Sequence, residues 1–329
     1  IYLTLLRSDE FKEILRKNNK TNFDISLEFQ NATGISLEEY IGITVGLICI
    51  FLYYDPEDTG IVTHFTVDGF LRESTLRKET LEKYLNIETR DLNEFAEIFK
   101  NQSPKYARRF SFLPFRQYPL LQIPNGPYIC VDPCFLTEKL NSGIYWKIVD
   151  NLGSKSSTFF EVFGYLFELY ARKLLESVCS DKALARTKAN STCLLFSSPT
   201  YTNNDKCFDE VIYYPETKHL LLIETKSSFI HSLKKYGRSI RGFRKEILKK
   251  FVQDKEGSNK GVGQLANHIC NLFDRNKDNR RHLANSILDD YIQHAEKISP
   301  LLIVQEEAVS FHIIEDLLNE IFTNLLKRK

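Results

Sequence analysis

The stretch Phe208-Asp-Glu-Val-Ile-Tyr-Tyr-Pro-Glu-Thr-Lys-His-Leu-Leu-Leu-Ile-Glu-Thr-Lys226 decides how this chain is read. Two runs rich in aliphatic and aromatic residues, Phe208–Tyr214 and His219–Lys226, flank the turn Pro215–Lys218, which predicts a β-hairpin. Pairing Pro215 with Lys218 or Tyr214 with His219 gives one register, in which paired numbers sum to 433. That register sets Asp209 opposite Glu224. Directly opposed residues point to the same face, with Cβ atoms about 4.5–5.5 Å apart. Lys226, two residues after Glu224, shares the face.

Both faces of the hairpin are otherwise apolar. Val211, Tyr213, Leu220 and Leu222 accompany the acids, while Ile212, Tyr214, Leu221 and Ile223 form the other side. Such strands belong between two layers. Two carboxylates and an ammonium there are costly unless they are paired or hold a cation. A divalent ion removes the repulsion between neighbouring carboxylates. Hard oxygen donors suit Mg²⁺, or Mn²⁺ in its place, and Mg²⁺ commonly takes one or two carboxylates plus waters and substrate phosphate. The lysine can orient or deprotonate water, or stabilise developing charge. The tripeptide alone is uninformative, because Glu-x-Lys also occurs at Glu10–Lys12 and Glu216–Lys218. Only Glu224–Lys226 ends an apolar strand with an acid set across from it. The competing reading is a surface ion-pair ladder at a strand end.

Outward from the hairpin, Thr158 and Glu161 read as a capping box opening a helix to about Val178. Phe160, Phe163, Phe167, Tyr170, Leu174 and Val178 form its apolar face. A strand is expected at Cys193–Ser197, helices over 231–255 and Gly261–Phe273, and a strand at Ile298–Gln305. Contiguous Leu301-Leu-Ile-Val304 suggests burial of that strand on both faces. His312–Leu326 reads as a closing helix.

Asp209, fourteen intervening residues, then Glu224-Thr-Lys226, after a helix and before a helix and strand, resembles the PD-(D/E)xK nuclease superfamily. The resemblance covers roughly the second half of the chain and implies an α/β fold with a restriction-endonuclease-like αβββαβ core. It implies phosphodiester hydrolysis with Asp209 and Glu224 as metal ligands and Lys226 as the catalytic lysine. Gly164-Tyr-Leu-Phe-Glu168 resembles the first-helix element that adds a metal ligand in RecB-type members, and Gln264 resembles the Gln of the helix after the third strand. Phe208 stands where some members have Pro. For Glu168 and Gln264 the bland alternative is a solvated helix face.

Residues 227–282 hold fourteen Lys and Arg against five Asp and Glu, a balance of +9, whereas the whole chain is +1. Lys234, Lys235, Arg238, Arg241, Arg244 and Lys245 are the candidate nucleic-acid contacts. Arg238, Arg241 and Arg244 at i, i+3, i+6 would present a basic stripe to a phosphate backbone. Net +1 excludes a uniformly basic coat. With 43% apolar and 26% charged residues the chain is no disordered tail, collagen-like fibre or coiled coil.

The remainder reads as a separate domain, with a boundary near the Asn151–Ser157 linker: 1–150 mostly helical with a β-rich end, 151–329 nuclease-like. Phe11, Ile14 and Leu15 fall at helical spacing, as do Leu76, Leu81 and Leu85 less regularly. Pro124-Asn-Gly126 between Tyr118–Ile123 and Tyr128–Val131 signals a second hairpin. The apolar run Ile41–Tyr54 is too short for a membrane span and reads as a buried helix. No basic region followed by an apolar segment opens the chain, so no signal peptide is expected. Seven cysteines, an odd number mostly inside apolar runs, fit buried thiols in a reducing cytoplasm. The pair Cys130 and Cys134, without nearby His, is weak for zinc. The expectation is a Mg²⁺-dependent nuclease acting on DNA in restriction, repair or antiviral defence, as a homodimer or within a larger complex. The alternatives are an RNA-directed nuclease with the same site and a non-catalytic nucleic-acid-binding protein.

Overall fold

A computed structural model describes residues 23–52, 64–102, 112–180, 193–235, 239–274 and 279–327. The described residues form a mixed α/β structure with two four-stranded sheets. The chain divides into two compact units, the first ending at Val162 and the second beginning at Phe163. The expected helix at Phe11–Leu15 lies outside the described residues.

The first unit contains α1 (Ile25–Thr33), α2 (Leu37–Leu52), β1 (His64–Phe65), α3 (Val67–Arg72), α4 (Lys78–Glu88), β2 (Thr89–Asp91) and α5 (Leu92–Gln102). It continues with α6 (Leu113–Gln117), β3 (Leu120–Gln122), β4 (Tyr128–Cys130), α7 (Pro133–Glu138) and α8 (Ile144–Leu152). Its sheet runs β1-β4-β3-β2. The hairpin expected around Pro124-Asn-Gly126 is β3–β4, with Leu120 paired to Cys130 and Asn125 at φ 54°. Strands β1 and β2 are not legible in the sequence, since two or three residues carry no period.

The run Ile41–Tyr54 supplies most of α2. A reciprocal Ser36–Glu39 cap opens that helix, and Tyr40, Ile41, Ile43, Leu47 and Phe51 are buried. Among the described residues no single helix is long and apolar enough to cross a membrane. Leu81 and Leu85 are buried in α4, but Leu76 precedes that helix. The core of this unit encloses Glu88, which accepts from Tyr40 Oη at 2.8 Å and forms ion pairs with Lys147 Nζ at 2.6 Å and Lys139 Nζ at 3.0 Å. Burial pushes its carboxyl up, but the two ammoniums more than reverse this and bring it down to about 2.

Helix α9 (Ser156–Ser180) begins in the first unit and continues into the second. It is followed by β5 (Leu194–Ser197), β6 (Glu210–Tyr214), β7 (His219–Lys226), α10 (Ser232–Lys235), α11 (Ile240–Phe251), α12 (Val262–Leu272), α13 (Ser286–Gln293), β8 (Lys297–Val304) and α14 (His312–Lys327). The sheet order is β5-β6-β7-β8, with β5, β6 and β7 antiparallel and β8 parallel to β7. A parallel return needs a long crossover. Among the described residues four helices lie in it, and α13, capped by Asn285, escapes a reading by periodicity because its eight residues make barely two turns.

Several expectations are corrected. Asn151–Ser157 is no linker: α8 runs through the 3₁₀ turn Gly153–Lys155 directly into α9. Thr158 and Glu161 therefore lie inside α9, where no free first-turn N–H remains for Thr158 to cap. The buried face of α9 carries Phe159, Val162, Phe163, Leu166, Phe167, Leu169 and Ala171, while Phe160, Leu174 and Val178 are exposed. Strand β8 is an edge of its sheet and only half-buried, with Leu301 facing solvent. All seven cysteines are free, and only Cys207 is fully buried; Cys134 sits exposed in the first turn of α7.

The hairpin is sandwiched as its composition implies. Val211, Tyr213, Leu220 and Leu222 pack against Leu265 and Leu272 of α12 and Leu288 and Ile292 of α13. On the other side Glu210 reaches Arg172 of α9, and the Phe163 and Phe229 rings stack at 6.4 Å. At Gly164 α9 lies beside the end of β7, where a Cβ would make an ordinary van der Waals contact, 3.6 Å from Ser227 Oγ.

Candidate active site

The hairpin has the anticipated register: Glu210 pairs with Ile223 and Tyr214 with His219. Asp209 stands just before β6, its N–H donating to Ile223 O at 3.1 Å and its carbonyl accepting from Ser198 N at 2.7 Å. Its side chain does something the alternation rule does not foresee. Asp209 Oδ2 accepts the Thr225 N–H at 2.7 Å and the Thr225 hydroxyl at 2.8 Å. The carboxylate thus serves as acceptor to a strand N–H, a place usually filled by a backbone carbonyl. Oδ1 is left to face Lys206 Nζ at 2.6 Å. Burial raises the Asp209 carboxyl, but Lys206, Lys226 and the Thr225 N–H outweigh it, so the group lies below its ordinary range.

Glu224 is 2% exposed and Lys226 Nζ lies 2.6 Å from its Oε1. Burial pushes Glu224 up to about 7, with the Asp209 charge adding to the rise and Lys226 opposing it. Two neighbouring acids are thereby driven apart: Asp209 is ionised at neutral pH while Glu224 is poised to gain or lose its proton. Lys226 is mostly covered, and its Cγ lies 3.5 Å from where a Cβ on Gly261 would stand, beside the start of α12.

Glu168, on α9, meets the same cluster through Lys206, whose Nζ is 3.0 Å from Glu168 Oε2. Asp209 and Glu168 are therefore joined through the Lys206 ammonium, while Glu224 is paired with Lys226. Gln264 has a different engagement: its Oε1 accepts the Gly261 N–H at 3.0 Å and closes the first turn of α12. Of the basic candidates, Arg241, Arg244 and Lys245 are exposed on α11, and Lys234 is exposed on α10. Lys235 is held 2.7 Å from the buried Glu306 carboxylate. Arg238 lies outside the described residues.

Sequence reasoning misses Lys206, Thr225 and His268. Lys206 sits three residues before Asp209, outside the hairpin register. Thr225 falls on the opposite face by alternation. His268, one turn after Gln264, bonds Tyr201 Oη through Nδ1 at 2.9 Å; burial and nearby Arg281 hold it down to about 4, so it is neutral. Arg281 stacks 3.8 Å over the Tyr201 ring and binds Asn203 and Asp205, fixing the loop that carries Lys206.

The donor set is chemically suited to a hard divalent ion. Asp209 and Glu224 are buried oxygen donors, and ammonium groups already stand where positive charge is needed. Among the described residues no three His, Cys, Asp or Glu side chains gather closely enough to hold an ion together, so the fit is to a two-carboxylate site completed by water. A separate cavity of about 520 Å³, lined by Gly42, Gly46, Phe70 and Arg77, belongs to the first unit. Comparisons with protein-family models, curated proteins and solved structures find no match for this chain, so its chemistry is read from these residues alone.

Proposed function

We propose that this chain is a Mg²⁺-dependent nuclease of the PD-(D/E)xK kind, built on a restriction-endonuclease-like core and acting on DNA. The observation that carries the reading is the buried pair Asp209 and Glu224 at the end of the hairpin, with Lys226 2.6 Å from Glu224. The order helix, three antiparallel strands, helices, parallel strand supports it. Asp209 and Glu224 would hold the ion, with Glu168 adjoining. When bound, Mg²⁺ supplies Lewis-acid polarisation of the phosphoryl group and acidifies water. Lys226 orients the attacking water and balances charge as the phosphorane-like state develops. Exposed Arg241, Arg244 and Lys245 bind the phosphate backbone.

The test is incubation of the full chain with plasmid, linear and single-stranded DNA and with RNA, with and without Mg²⁺. Asp209→Asn, Glu224→Gln and Lys226→Met should each lose at least about 100-fold in cleavage. Full activity in the folded variants would remove the site assignment, and a preference for RNA would change the substrate. One observation favours a second reading, a nucleic-acid-binding protein without turnover: each acid already has an ammonium partner. Binding to DNA with no Mg²⁺-dependent cleavage would select that reading.

A further inference from the structure

Lys206 makes two contacts with one ammonium. Its Nζ lies 2.6 Å from Asp209 Oδ1 and 3.0 Å from Glu168 Oε2, bridging the hairpin acid to the α9 acid. Thr225 already occupies Asp209 Oδ2 through two hydrogen bonds. A cation approaching Asp209 therefore meets Oδ1, where Lys206 sits. The Lys206 side chain is 47% exposed while that of Asp209 is 6% exposed, so the ammonium can withdraw to water and the carboxylate cannot. The loop backbone does not depend on that contact. Tyr201 N donates to Asp205 O at 2.8 Å, Cys207 N to Pro199 O at 2.9 Å, and Arg281 holds Asn203 and Asp205.

We propose that Lys206 is a resident counter-ion that a divalent cation displaces. This rests on the metal reading given above. In the metal-free protein the ammonium pairs with both Asp209 and Glu168 and offsets one of their two negative charges, and entry of the divalent ion is an exchange of one cation for another. Lys206 is a positioning residue: it sets the affinity of the site and occupies Asp209 Oδ1 until the ion arrives. Once displaced, its ammonium stays tethered at the mouth of the site.

The experiment is Mn²⁺ titration of the full chain, followed by electron paramagnetic resonance, for the wild type, Lys206→Met and Lys206→Arg. Lys206→Met should bind Mn²⁺ about tenfold more tightly, the size expected when a charge-assisted contact no longer has to be broken. Lys206→Arg, which keeps the charge, should stay near wild type. Unchanged or weaker affinity in folded Lys206→Met overturns the exchange while leaving the metal reading intact. Absence of Mn²⁺ binding in both the wild type and Lys206→Met overturns both. A crystal structure of the wild type with Mn²⁺ serves if Lys206→Met does not fold. Displacement requires Nζ to have left Asp209 Oδ1, and an ion bound with that contact still in place overturns the proposal.

Discussion

Asp209 and Glu224 are chemically alike and adjacent, yet they respond to pH in opposite ways. Glu224 is raised to about 7 by burial, so the folded chain holds its proton where the unfolded chain has released it. Stability is then undiminished below about pH 4.5, falls as pH rises from there through 7, and is lowest above 7. A rise of this size corresponds to about 3 kcal/mol at pH 8. Glu224→Gln should therefore raise the melting temperature of the metal-free protein at pH 8 and leave it nearly unchanged at pH 4. Equal effects at both pH values would show that burial does not hold the proton on Glu224. Asp209 has the opposite sign: its carboxyl is lowered, so its contribution is present above its ordinary pKa and lost as pH falls. Asp209→Asn keeps an acceptor for Thr225 but discharges the Lys206 pair, and should lower stability at pH 7 by about 1–3 kcal/mol. Discharging the acid therefore stabilises at Glu224, where burial dominates, and destabilises at Asp209, where the ammonium contacts dominate, which thermal melts of the two variants at pH 7 would separate by sign.

At the scale of elements, α11 and α12 do different work. Helix α11 buries Ile247 and Phe251 and turns Arg241, Arg244, Lys245 and Lys249 to solvent. Replacing Arg241, Arg244 and Lys245 together by Ala should weaken DNA binding similarly for all sequences. It should also flatten the dependence of log K on log salt by about 0.9 for each phosphate no longer neutralised. An unchanged slope would mark α11 as a solvated face. Helix α12 starts where the chain passes very close to the end of α11. A Cβ on Gly263 would stand 2.2 Å from Val252 O, a backbone atom that cannot swing aside. Gly263→Ala should cost about 2–4 kcal/mol in urea unfolding. Because Gly261 adjoins Lys226 at the same helix start, displacement of α12 should lower cleavage as well.

Across the whole molecule, each unit has its own buried ionic cluster. Glu88 is fully buried with Lys139 and Lys147 in the first, and Asp209 and Glu224 lie in the second. Removing one partner of a buried ion pair commonly costs about 3–5 kcal/mol, since the remaining charge is left uncompensated. Glu88→Gln should destabilise the first unit by that order in urea unfolding and leave Mn²⁺ affinity unchanged. A parallel loss of Mn²⁺ affinity would show that the two units are energetically coupled.

How much of this is legible in the sequence follows from the range of each interaction. The hairpin at 208–226 is readable because turn chemistry and apolar alternation are local, and its register places Asp209 against Glu224 whichever loop is chosen. The buried helix at Ile41–Phe51 is readable for the same reason. Thr158 resembles a cap, but whether a residue caps depends on where the preceding chain goes, and here α8 leads directly into α9. Leu301–Val304 spells a buried strand, yet burial depends on what lies on the outer side of β8. Lys206 is invisible because a lysine outside the hairpin has no register to place it. Only the folding of the 199–207 loop back on itself brings its ammonium to Asp209 and Glu168. The sequence by itself determined which acids stand opposite each other in the hairpin register. The tertiary structure decided which of them is charged, because proton affinity depends on burial and on neighbouring charges distant in the chain.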